Sequence, residues 1–293
     1  MEYSSLLKEY APAPTPEEVA AAVEKARKDA AARNHNADVY KLCYSAIDLT
    51  QLNVTDSVSH ITAYTKKAME FDRFFPSVPN VASICVYPIF VDMVALAIGD
   101  GKMAITSVAG GFPSSQTYLE VKMLEIAMAI ENGADEIDVV ISVGQLLDGQ
   151  YDQMASEIET MRREAGKEVV FKVIIESGAL KTPELIRRAS LLSMLAGADF
   201  IKTSTGKIDI AATPEAAVVM CQAIRDYHAK TGRKVGFKAA GGVRTAEDAA
   251  LYYTIIENIL GKEWLTPALF RIGASSAANN ILGSILGKEV KYF

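Results

Sequence analysis

Cysteine, histidine and tryptophan are scarce in this chain of 293 residues, at three, three and one. Cys43, Cys85 and Cys221 are odd in number and show no CxxC spacing, which argues against a disulfide framework and a thiolate metal site. They read as small buried apolar residues. His35, His60 and His228 stand far apart, so the spacing that zinc chemistry uses is missing and no metal is expected. No apolar run approaches the ~18 residues of a membrane span. The opening MEYSSLLKEYAPAPTPEE has neither the basic nor the apolar region of a signal peptide, so a cytoplasmic location is the expectation. Positive charge is also in deficit, with 30 Lys and Arg against 36 Asp and Glu, a formal net charge of −6. That balance favours neither nucleic acid nor an anionic membrane, while a small phosphorylated substrate stays possible because local charge can oppose the global sign.

What is present is apolar residues, half of the chain, enough to bury a large core. From Thr15 to about Arg33 the chain is alanine-rich and charged, and Thr15-Pro16-Glu17-Glu18 supplies an N-cap, a proline at the first helical position and a capping-box glutamate. Residues 1–40 therefore read as an extension carrying one helix, ahead of a single domain over 41–293. In that domain eight short apolar runs alternate with helical stretches at intervals of about 30 residues, the size of a strand plus crossover helix. They cover 41–47, 81–87, 103–109, 136–142, 169–175, 199–205, 235–241 and 270–276. Helix starts such as Thr182-Pro183-Glu184 and Thr213-Pro214-Glu215 lie between them. Repeated strand and helix imply a parallel sheet covered on both faces, and eight units predict a closed (β/α)8 barrel rather than an open doubly wound sheet. The GxGxxG fingerprint of the open dinucleotide-binding alternative is missing after the first run, which ends AIDLTQLN.

Chemistry is concentrated in the later runs. The fifth, sixth and seventh each hold a lysine among apolar residues: Lys172 in FKV, Lys202 in IKT and Lys238 in FKA. An ammonium in a low-dielectric interior must be paired or give up its proton, and burial beside a second ammonium lowers a lysine pKa by several units. The neutral amine so produced attacks carbonyls. The bland alternative places these lysines at strand ends with their heads in solvent, but three on consecutive strands favour at least one interior pair. Asp138, inside EIDVV, needs a partner of its own; it can move protons, bridge a strand lysine, or do both. Asp48, in AIDLTQL, is balanced between a substrate contact and a cap.

Thr205-Gly206-Lys207, Gly241-Gly242 and Gly273-Ala274-Ser275-Ser276 all fall just past the ends of the last three runs. Glycine lets backbone amides approach an anion, serine hydroxyls and Lys207 add donors, and barrel sites lie at the C-terminal face. Any one glycine pair is more often only a turn; recurrence at one end of three strands suggests a phosphate cradle.

DEIDVV, KVIIESG, DFIKTSTGK, ATPE, GFKAAGGVRTAEDA and RIGASS, taken together over about residues 41–286, resemble deoxyribose-phosphate aldolase. The resemblance implies reversible cleavage of 2-deoxy-D-ribose 5-phosphate to acetaldehyde and D-glyceraldehyde 3-phosphate, with no metal and no organic cofactor. By position it implies Lys202 as the Schiff-base lysine, Lys238 as the lysine that tunes it and Asp138 as the acid relaying protons. Asp48, Thr205, Gly206, Lys207, Gly241, Gly242, Ser275 and Ser276 are implied as contacts to substrate hydroxyl and phosphate. Lys172 matches a strand lysine and is expected as an ion-pair partner. Ala239 departs from the proline usual after the second lysine, the first forty residues have no counterpart in shorter members, and Tyr292 is not placed among the site residues. Partners are expected to be small sugar and aldehyde substrates, with a homo-oligomer possible. A Schiff-base aldolase of other phospho-sugar specificity and a non-catalytic phosphosugar-binding barrel are the competing readings.

Overall fold

The computed structural model describes residues 2–293. Eight parallel strands close into a barrel in sequence order, with the last pairing with the first. They are β1 (Ile47–Thr50), β2 (Ser83–Val86), β3 (Ala104–Ala109), β4 (Glu136–Val140), β5 (Val170–Ile174), β6 (Phe200–Lys202), β7 (Gly236–Ala240) and β8 (Phe270–Ala274). Each is followed by a covering helix. The last four of these, Pro183–Leu195, Pro214–Thr231, Ala246–Ile259 and Ala277–Leu286, return from the elements that carry the expected chemistry. Thr182, Thr213 and Thr245 cap three of them by accepting the N–H of the third helical residue, so the motifs read from sequence act as helix starts. Apolar outward faces of the strands and inward faces of the helices form one continuous core.

Two local expectations shift. The run 41–47 is not the first strand: Ala37–Ser45 is helical, capped by Asn36, whose side chain accepts from Asp38 and Val39 N–H. Its buried residues Val39, Tyr40, Cys43 and Tyr44 recur at helical spacing, and the strand begins only at Ile47. Asp48 consequently lies inside β1 rather than beyond it. The N-terminal region also carries more than one helix. Thr15 and Glu18 form the expected capping box for Pro16–Asp29, which continues as a π-helical turn over Ala30–Asn34, and a short helix spans Tyr3–Leu7. Val19, Val23 and Ala26 are the buried face of the main N-terminal helix, which packs on Pro214–Thr231 and Ala246–Ile259.

β6 is three residues long although its sequence run continues to Thr205. Thr203 leaves the regular ladder because its hydroxyl accepts the Ala240 N–H at 3.0 Å. The chain is thus free to turn directly above Lys202.

Candidate active site

Side chains alternate along a strand, so Glu136 and Asp138 on β4 share the barrel interior, and parallel register then sets their neighbours. Asp138 is in register with Lys172 on β5, and Lys202 on β6 is in register with Lys238 on β7. Adjacent parallel strands lie ~4.8 Å apart, which seats the two ammonium stems side by side. The interior reading of the lysines is the one observed: Lys172 and Lys238 are fully buried and Lys202 is 3% exposed.

Asp138 joins all three. Its Oδ2 accepts from Lys202 Nζ at 2.7 Å and from Lys238 Nζ at 2.8 Å, and its Oδ1 accepts from Lys172 Nζ at 2.9 Å. Below this junction Glu136 accepts from Thr106 Oγ1 at 2.7 Å and Arg271 Nη2 at 2.7 Å, and pairs with Lys172 at 2.7 Å. Asp48 pairs with Lys238 and Arg271 and accepts from Ser83 Oγ at 2.8 Å. The buried cluster therefore contains four cations, Lys172, Lys202, Lys238 and Arg271, against three carboxylates, Asp48, Glu136 and Asp138. One positive charge is in excess.

Which lysine carries that excess follows from position. Burial opposes the charge of every lysine here, and for Lys202 this effect, reinforced by the neighbouring Lys238, exceeds the pull of Asp138, so its pKa falls below the ordinary lysine value. Lys238 is buried as well, but Asp138 and Asp48 outweigh burial and raise its pKa. Asp138 and Glu136 offset burial of Lys172 in the same sense. Burial also disfavours the Asp138 carboxylate, yet Lys172, Lys202 and Lys238 together hold it well below the usual range. Lys202 is thus the member most readily neutral, next to an ionised acid and a lysine that keeps its proton.

Leu52, Cys85 and Val108, the last in register with Asp138, form a small apolar cluster with Tyr87 and Phe112 packed against it, separate from the main core.

The suspected anion-binding residues are brought together unevenly. Gly206 and Gly241 meet: both have positive φ, and a Cβ placed on Gly241 would stand 3.5 Å from the Gly206 Cα and 2.7 Å from the Ala211 Cβ. Gly242 follows with φ +81°, a conformation that suits glycine. Ser275 and Ser276 are exposed at the start of the Ala277–Leu286 helix, just past the end of β8, the strand next to β7. Lys207 crosses the barrel mouth to donate its ammonium to the Leu52 carbonyl. Thr205 has its hydroxyl and N–H turned to Glu176, and Asp48 is committed to Lys238 and Arg271 in the middle of the barrel. Tyr292 uses its hydroxyl on the Lys67 carbonyl at 2.7 Å, with its ring against Phe71, Phe74 and Phe75.

Glu136, Arg271 and Glu176 went unremarked as individual residues in the sequence. The test that singled out the lysines, a charge inside an apolar run, applies equally to Glu136 in EIDVV and Arg271 in FRI; Glu176 carries no such signal.

Among the described residues no group of three or more His, Cys, Asp and Glu side chains is placed to hold a metal ion, and no helix is long and apolar enough to cross a membrane.

Residues 42–258 match the model of the DeoC/LacD family aldolases. A deoxyribose-phosphate aldolase from Homo sapiens is 42% identical over 80% of this chain and 77% of its own length. One from Agrobacterium fabrum is 40% identical over 85% of this chain and 92% of its own. Among solved structures, an aldolase designated QR15 superposes with a TM-score of 0.65 at 28% identity, covering 82% of this chain and 94% of that one.

Proposed function

Since the chain belongs to the DeoC/LacD aldolase family and is a carbon–carbon lyase, we propose that it cleaves 2-deoxy-D-ribose 5-phosphate reversibly through a Schiff base on Lys202. The observation that carries this reading is the sharing of one Asp138 oxygen by Lys202 and Lys238, in a cluster with one cation too many. That arrangement supports a neutral nucleophilic amine in one place and a retained proton beside it.

The reaction then runs as follows. The neutral amine of Lys202 attacks the C1 aldehyde carbon, giving a carbinolamine that loses water to become an iminium. Removal of the proton on the C3 hydroxyl lets the C2–C3 bond break, its electron pair entering the iminium to leave an enamine and releasing glyceraldehyde 3-phosphate. Protonation of the enamine at C2 and hydrolysis of the imine release acetaldehyde and regenerate the amine. Asp138 is positioned to move protons next to nitrogen, directly or through a water, while Lys238 holds positive charge that keeps the iminium precursor unprotonated. The iminium is itself the electron sink, so no step calls for a Lewis acid or organic cofactor. At the other end, Gly206, Gly241, Gly242, Ser275 and Ser276 with Lys207 would receive the phosphate at the C-terminal face of the last three strands.

Incubation with acetaldehyde or substrate, reduction by borohydride and peptide mapping by mass spectrometry test the assignment. A reduced adduct is expected on Lys202. Labelling of Lys238 or Lys172 with Lys202 left free would overturn it, and the absence of any adduct would deny the Schiff-base route.

A further inference from the structure

Glu176 begins the turn after β5 with φ +52° and ψ +57°, a left-handed conformation that few side chains other than asparagine and aspartate adopt. Its carboxylate is buried, with the residue 5% exposed, and among the described residues no lysine or arginine pairs with it. A buried carboxylate held in an unfavourable backbone conformation needs compensation. Here the donors are two groups of one residue: Thr205 N–H at 3.1 Å and Thr205 Oγ1–H at 2.5 Å. The neighbouring Ser177 N–H donates to the Thr203 carbonyl at 2.8 Å, so the ends of β5 and β6 are tied together directly above Lys202.

The proton order in this clamp is determined. The Thr205 hydroxyl donates to Glu176, and its lone pair is left to accept the Lys207 N–H at 3.0 Å. The amides of Thr205 and Lys207 are both occupied. Gly206, between them, has no acceptor for its N–H among the described residues, and its Cα abuts the Gly241 turn.

We propose that Glu176 is a positioning residue for the phosphate end of the substrate: by clamping Thr205 it fixes the Thr205–Lys207 turn beside Gly241 and Gly242 and leaves the Gly206 amide as that turn's anion donor. This rests on the phosphate site proposed above. It also gives Thr205 a supporting role instead of direct contact.

The test compares wild type with Glu176→Gln and Thr205→Val. The Gln amide nitrogen cannot accept from Thr205, and Val removes the hydroxyl at similar volume while keeping the backbone N–H. Measured for each are kcat and KM with deoxyribose 5-phosphate and with unphosphorylated deoxyribose, and the inhibition constant of inorganic phosphate. Both variants should raise KM for the phosphorylated sugar about tenfold, the loss expected for a misplaced charge-assisted hydrogen bond, and weaken phosphate inhibition similarly. Values of kcat, and kcat/KM for the unphosphorylated sugar, should stay within about twofold. Equal losses on both sugars would mean a merely structural role, and unchanged phosphate inhibition would also overturn the proposal. If wild type itself neither prefers the phosphorylated sugar nor is inhibited by phosphate, the phosphate site falls and this role with it; if it does both and the variants match it, only the role of Glu176 falls. Should Glu176→Gln not fold, Thr205→Val decides alone.

Discussion

Lys202 and Lys172 occupy the same cluster and touch the same carboxylate, yet their removal should have opposite effects on stability. Lys202 is the cation in excess, and its lowered pKa means that the unfolded chain binds its proton more readily than the folded one, so near neutral pH its burial costs stability. Lys202→Met should abolish turnover and leave Tm unchanged or raise it by a few degrees. Lys172 has a raised pKa, so its contribution is fully present below the ordinary lysine value and disappears only as pH rises through its folded pKa. Lys172→Met leaves Glu136 and Asp138 short of a partner and should cost about 3 to 5 kcal/mol. Thermal unfolding at pH 7 separates the two; a larger loss in Lys202→Met than in Lys172→Met would show the charge count to be wrong. Lys238 acts on Lys202 as a like charge. In Lys238→Leu that repulsion disappears and Asp138 Oδ2 is left to Lys202, and both changes raise the Lys202 pKa. The acidic limb of kcat/KM against pH should move to higher pH, with activity at neutral pH reduced. An unmoved limb in a folded variant would deny Lys238 this role.

At the level of elements, the C-terminal ends of β6, β7 and β8 each turn through glycine or serine into a helix. The Ala277–Leu286 helix starts at Ser276 with no side chain capping it; the Ala278 and Asn279 N–H groups donate to the Ser275 and Ser276 carbonyls at 3.1 and 3.2 Å, so the Ala277 amide and the helix dipole are left for an anion. Ser276→Asp puts a negative charge there. The helix itself tolerates this, since an acidic residue at an N-terminus is favourable, but a phosphate would be repelled. The ratio of kcat/KM for deoxyribose 5-phosphate to that for deoxyribose should therefore fall at least tenfold without loss of Tm. A ratio equal to wild type would place the phosphate elsewhere. The elements themselves were legible where caps and apolar period agreed, as in Thr182-Pro183-Glu184. The run 41–47 misled because its apolar density suits a strand, while the Asn36 cap and the spacing of Val39, Tyr40, Cys43 and Tyr44 select a helix.

For the whole molecule, the N-terminal region acts as an external brace. Its main helix buries Val19, Val23 and Ala26 against helices behind β6 and β7, while Tyr3 is buried and its hydroxyl donates to Glu159 at 2.9 Å. Removing residues 2–29 uncovers that surface. At ~1.5 to 3 kcal/mol for each large apolar side chain, the deletion should cost about 5 kcal/mol and lower Tm by roughly 10 °C. No residue of this stretch takes part in the lysine cluster, so kcat measured below the new Tm should hold within about twofold. Unchanged thermal unfolding would mean that the region merely lies on the surface.

The sequence by itself determined the alternation of strand and helix, the number of units, and the presence of lysines and an aspartate inside apolar runs, which favoured an interior use for at least one lysine pair, because period, caps and misplaced charge are local properties. Parallel register was needed to decide the rest. Only when β6 and β7 align do Lys202 and Lys238 stand at one height, and only closure of β8 onto β1 brings Arg271 to Asp48 and makes the cation excess countable. Glu176 was beyond the reach of the sequence for the same reason: its partner is 29 residues away on the next strand's loop, and the left-handed backbone that aims it there exists only in the folded barrel.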